Sequence, residues 1–122
     1  MARFVVLLHE TPAGYSRKTH FDLMLEVGDS LRTWALDKLP ATDETVSAER
    51  LPDHRPVYLD YEGQLGGGRG GVSRVDQGDY DSIDETAVRW VVRLQGSKLM
   101  GTLVLAQDAN DAQRWMVSLS AD

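Results

Sequence analysis

His20-Phe21-Asp22-Leu23-Met24-Leu25-Glu26-Val27, closed by Gly28-Asp29, decides the reading of this chain. Phe21, Leu23, Leu25 and Val27 recur every second residue, the period of a strand with one face buried. The other face carries His20, Asp22, Met24 and Glu26, so two metal-ligating side chains share it. Gly28-Asp29 suits a tight hairpin turn, because both residues tolerate the positive φ such turns require. A partner strand is therefore expected over 31–36.

The apolar run at 3–8 suits a first strand, and further strands are expected at 57–62, 71–75, 87–94, 98–105 and 113–119. Gln95-Gly96-Ser97-Lys98 reads as another hairpin turn. Residues 39–55 contain prolines and hold no sustained period, so they are expected to form a connection with a short helical turn near Ser47–Leu51. The cluster Gly66-Gly67-Gly68-Arg69-Gly70-Gly71 has a backbone entropy that disfavours a core position, which predicts a mobile loop. Closure into an antiparallel barrel or tight sandwich removes the open edges that so many strands would leave. The expected fold is a mostly β, small antiparallel β-barrel with short connecting helical turns.

The 122 residues suffice for one core and are read as a single domain, 1–122. With no cysteine, neither disulfides nor thiolate metal sites are available, and a reducing cytoplasm is the expected compartment. The opening apolar run is too short for a membrane span. A formal charge of −6 argues against tight, sequence-blind binding to long DNA, which needs many cations against phosphates, but it leaves room for a local basic pocket.

Of the three histidines, His9 ends the first expected strand and His20 begins the second. His20 and Asp22 project from one face about one pleat repeat apart, and pairing of the two strands brings His9 beside them. Two imidazoles and one carboxylate leave coordination positions for water and substrate, as a catalytic ion requires. Such ligands suit manganese, iron, cobalt or zinc, and ligand type does not choose among them. The competing reading is a histidine hydrogen-bonded to a carboxylate on a solvated face.

The run His20 to Glu26, followed by Leu31-Arg32-Thr33-Trp34-Ala35-Leu36-Asp37-Lys38-Leu39-Pro40, resembles the signature of the 3′-phosphoesterase domain of bacterial DNA ligase D. Asp53-His54 with Tyr58, Asp60-Tyr61-Glu62-Gly63, Asp76-Gln77-Gly78-Asp79-Tyr80 and Gly96-Ser97-Lys98-Leu99-Met100-Gly101 resemble later motifs of that family, in the same order. The resemblance implies that His9, His20 and Asp22 hold a divalent metal, manganese by preference with zinc or cobalt as alternatives. It implies that His54 and Lys38 act at the phosphate and that Tyr58 binds substrate. Here about five extra residues separate His9 from His20. Met24 stands where the family has an arginine and cannot supply its bidentate contact. Arg69, on the glycine cluster, is the candidate substrate-binding replacement, against the alternative of an ordinary solvated arginine.

Residues and resemblance together imply a metal-dependent 3′-phosphoesterase-like protein acting on nucleic-acid 3′ ends in DNA repair, removing a 3′-phosphate or 3′-ribonucleotide. The alternative is a catalytically weak or inactive metal- or phosphate-binding module of the same fold. A cupin-like barrel enzyme ranks lower, since those use a His-x-His pair. The expected partners are nucleic-acid 3′ ends and separate ligase or polymerase proteins, with no membrane and a monomeric state.

Overall fold

The structure, a computed structural model, describes residues 2–122. Its strands are β1 (Ala2–Glu10), β2 (His20–Val27), β3 (Ser30–Leu36), β4 (Glu44–His54), β5 (Gly63–Gln64), β6 (Gly71–Glu85), β7 (Arg89–Gln95), β8 (Met100–Gln107) and β9 (Arg114–Ser120). They run in the spatial order β1-β2-β3-β4-β9-β8-β7-β6, and β6 pairs back onto β1 to close an eight-stranded antiparallel barrel. The two-residue β5 sits outside the ring on the end of β6. Closure leaves no long unpaired edge, the liability that a chain of many strands must manage.

Both faces of β1–β3 are buried, each against a different layer. Leu23 and Leu25 point inward with Phe4, Val6, Trp34 and Leu36 to the main core, which Trp90, Leu103, Leu105, Trp115 and Val117 complete from the opposite wall. Val5, Leu7, Met24 and Leu31 point outward and are covered by Leu59 and Val72, with Tyr58, Tyr61 and Leu65 packed against them. This second layer raises a wall beside the outer face of β2. Among the described residues, no helix is long and apolar enough to cross a membrane.

Two sequence expectations are overturned. Residues 44–54 form β4 and carry no helical turn: Val46 and Ala48 face the core while Thr45, Ser47 and Glu49 face solvent. That alternation is weak because only two small apolar residues mark it, and Pro52 masks its end. The strand tolerates Pro52 because the register slips between Leu31 and Thr33, where a bulge relieves the ladder of a donor. Residues 57–62 are not a strand. Pro56 sets the φ of a 3-10 turn over Pro56–Leu59, in which the Tyr58 amide donates to the Arg55 carbonyl at 3.2 Å.

The remaining strands lie where alternation placed them, with β6 running on to Glu85, well beyond 75. The glycine cluster is a hairpin connection between β5 and β6. It is pinned by the Leu65 amide, which donates to the Gly70 carbonyl at 2.8 Å.

Candidate metal centre and phosphate pocket

His9 and His20 are direct cross-strand partners, and Asp22 lies one pleat repeat further along β2, opposite Leu7. Their ligating atoms all fall within 4.8 Å of one another, the one such group among the described residues. His20 and Asp22 are buried and the His9 side chain is only 12% exposed.

The ring nitrogens are assigned by the backbone. The Nε2 of His9 sits 2.8 Å from the Arg69 carbonyl, which leaves Nδ1 facing Asp22 Oδ2 at 3.7 Å. The Nδ1 of His20 sits 2.7 Å from the Lys18 carbonyl, which leaves Nε2 facing Asp22 Oδ1 at 3.0 Å. Carbonyls thus fix each imidazole from behind, as partners of metal-bound histidines do. Asp22 Oδ1 is fully buried and its one close polar neighbour among the described residues is His20 Nε2, so no other donor satisfies it. An orphaned buried carboxylate oxygen is costly unless something cationic meets it. Ligand bonds of about 2.0–2.2 Å place donor atoms roughly 3–3.5 Å apart, and the separations of 3.0 and 3.7 Å to Asp22 lie near that range, so a small closure of the side chains would seat an ion. The three side chains therefore fit a divalent ion. Burial disfavours the His20 cation, yet its contacts with Asp22 and with the Lys18 carbonyl outweigh that and hold its pKa above the ordinary histidine value.

The His9 contact depends on a neighbouring glycine. Gly70 adopts φ +85°, and a Cβ there would lie 2.0 Å from the Glu10 carbonyl oxygen. Only glycine lets the β5–β6 hairpin approach β1 closely enough for Arg69 to meet His9.

Around this triad lies a cavity of about 210 Å³, whose walls include Met24, His54, Tyr58, Arg69 and Arg17. The bulge at the end of β4 delivers His54 to this cavity. Its Nδ1 is 2.9 Å from the Pro52 carbonyl, and its ring stands edge-on to Tyr58 with centroids 5.9 Å apart. The Nε2 of His54 is left for a ligand. Arg69 is exposed, and its Nε donates to the Gly66 carbonyl at 2.7 Å, while its guanidinium has no carboxylate partner among the described residues. Met24 shares the face of His20 and Asp22, as alternation predicts, but it is 1% exposed and belongs to the apolar layer under the 3-10 turn.

Lys38 stands apart. It is exposed, bonds Glu44 Oε2 at 2.7 Å and does not line the cavity. The cation that sequence reasoning missed is Arg17, which the β1–β2 loop carries to the cavity wall. Glu49 clamps it through two bonds of 3.1 and 2.7 Å, an ion pair that raises the Arg17 pKa and lowers that of Glu49. The extra residues between His9 and His20 were the available signal, since a longer loop beside a site has the reach to add a group to it.

The family described as the DNA Ligase D 3′-phosphoesterase domain matches residues 13–107. The multifunctional non-homologous end joining protein LigD of Pseudomonas aeruginosa is 30% identical over 90 residues, covering 70% of this chain and 10% of the relative. The multifunctional non-homologous end joining DNA repair protein LigD of Mycobacterium tuberculosis is 29% identical over 111 residues, covering 84% of this chain and 14% of the relative. The chain thus spans only 10–14% of the length of these curated relatives. His20, Asp22 and His54 lie inside the family match and His9 precedes it, so His9 joins the site on geometry.

Proposed function

Because this chain belongs to the DNA ligase D 3′-phosphoesterase domain family, we propose that it processes nucleic-acid 3′ ends in end-joining DNA repair, hydrolysing a terminal phosphoester with a divalent ion. The observation that carries this reading is the convergence of His9, His20 and the buried Asp22 carboxylate on a cavity that Arg17, His54 and Arg69 also line. When bound there, a manganese, zinc or cobalt ion supplies positive charge against the phosphate and lowers the pKa of a water.

The chain's own groups divide the remaining work. Arg69 binds the nonbridging oxygens through charge-assisted hydrogen bonds, in place of the arginine that Met24 lacks. The Nε2 of His54 holds a proton for the departing 3′ oxygen, which leaves as a hydroxyl when the P–O bond breaks and water adds to phosphorus. Tyr58 orients His54 and forms one wall for the substrate. Arg17, whose charge Glu49 balances, forms a fixed polar part of the wall. The domain acts in the cytoplasm as a monomer, alongside separate ligase or polymerase proteins.

A second reading has its own support. Met24, buried among apolar residues, offers no guanidinium, and a module that binds metal and phosphate without efficient turnover would need none. One assay separates the two. Manganese-loaded protein is incubated with DNA primers ending in a 3′-phosphate or a single ribonucleotide. The enzyme reading expects phosphate or ribonucleotide release that chelation stops and that His20→Ala abolishes. Retained binding of metal and primer with no release in the parent would leave the binding module standing.

A further inference from the structure

A second cavity, of about 490 Å³, adjoins the first and shares Tyr58, Leu65 and Arg69 with it. We propose that this cleft takes the terminal nucleoside of the strand being processed, so that the substrate is a 3′ end whose last base is unpaired. The inference rests on the phosphoesterase reading above and extends it to the shape of the substrate.

Size is the first argument. The metal-side cavity, at about 210 Å³, has room for a phosphate but not for the nucleoside attached to it, which must lie next door. The adjoining cleft falls within the roughly 300–1,000 Å³ of small-ligand sites. Lining is the second. Tyr58 and Tyr61 stand perpendicular, at 88° with centroids 6.1 Å apart, so a base stacked on one ring meets the edge of the other. The Tyr61 hydroxyl donates to the Gln64 carbonyl, which fixes that ring, and the exposed Val57 beside it extends the apolar floor.

Charge is the third argument. The protein carries a net charge of −6, yet the cleft is lined by Arg55 and Arg69 and by no carboxylate among the described residues. Arg69 lies at the junction with the metal-side cavity, where the 3′-phosphate would sit. Arg55, at the start of the 3-10 turn, is available to the phosphate on the 5′ side of the same nucleoside. An apolar aromatic slot between two phosphate-seeking cations matches one nucleotide of a single strand. A base that enters the slot between the two rings must leave its complement, and stacking there tolerates any base because every base has a π-face. The specificity is therefore for fraying and not for sequence.

The test varies the substrate first, so that it does not depend on a variant folding. Manganese-loaded protein is titrated with 3′-phosphorylated oligonucleotides whose terminal residue is unpaired 2-aminopurine, 2-aminopurine paired with thymine, or abasic. Phosphate release is followed in parallel. The unpaired end should bind about ten-fold more tightly than the abasic end, with quenched 2-aminopurine fluorescence, and the paired end should fall between them. Tyr61→Leu should remove the advantage of the base, whereas Tyr61→Phe, which keeps the ring, should retain it. Equal affinity of the parent for base-bearing and abasic ends would overturn the cleft, even if phosphate is released from both. Base-dependent binding with no release from any end would keep the cleft and remove the phosphoesterase reading.

Discussion

A buried carboxylate oxygen with no hydrogen-bond partner, Asp22 Oδ1, is the residue-scale fact on which the site turns. His-x-Asp at strand spacing was legible in the sequence, because a two-residue period puts both side chains on one face. Which ring nitrogen each histidine turns inward was not, since backbone carbonyls of Lys18 and Arg69 decide it. The same limit applies to Met24. Its face was legible, but its burial under Leu59 depends on a 3-10 turn that the sequence presented as a strand. Met24→Arg should therefore lower stability by roughly 3–5 kcal/mol, the scale of an uncompensated charge in an apolar layer, without raising turnover. Arg69→Gln removes the free guanidinium while keeping the carbonyl that holds His9. It should weaken binding of a 3′-phosphorylated primer about ten-fold, because hydrogen bonds from charged donors contribute about 1.5–3 kcal/mol each, and should leave the melting temperature in place. Gain of activity in the first variant together with unchanged affinity in the second would return the phosphate contact to position 24.

At the scale of elements, the motifs that resemble the family divide into those that build the site and those that build the barrel. Asp76-Gln77-Gly78-Asp79-Tyr80 and Gly96-Ser97-Lys98-Leu99 belong to the second kind. Asp76 is buried and accepts from the backbone amides of Gln77, Ser97, Lys98 and Leu99 at 2.7–3.0 Å, so one carboxylate organises the β7–β8 turn. Gly96 is required there because a Cβ would meet Asp76 Oδ2 at 2.5 Å and Phe4 at 2.6 Å. Tyr80 then locks β6 to the end of β2, donating to the Glu26 carbonyl at 2.6 Å. Sequence alone showed a hairpin at 95–98 but could not show a carboxylate some twenty residues earlier inside it. Asp76→Asn replaces an acceptor with a donor facing backbone amides, and urea denaturation should record a loss of roughly 3 kcal/mol. A loss below about 0.5 kcal/mol, the scale of a plain surface change, would deny the carboxylate this role. β4 failed to announce itself for the opposite reason: its long-range partners β3 and β9 specify it, and its own pattern is thin.

For the whole molecule, closure is what turns local strand signals into a site. The β1–β2 pairing aligns His9 with His20, the β1–β6 pairing that seals the barrel sets Gly71 against Glu10 beside the Arg69 hairpin, and the β3–β4 bulge brings in His54 from the other side. The three candidate ligands stand on strands held by cores on both faces, so the barrel should fold without metal, unlike small domains whose folding free energy is metal binding itself. Chelated protein should keep its circular dichroism and its cooperative melt. The most direct measurement is a calorimetric titration of chelator-stripped protein with manganese, run beside His20→Ala. One ion per chain in the parent, and none in a variant that still melts cooperatively, is the expected result. Equal uptake by the two proteins, or no uptake by the folded parent, would contradict a metal centre at His9, His20 and Asp22.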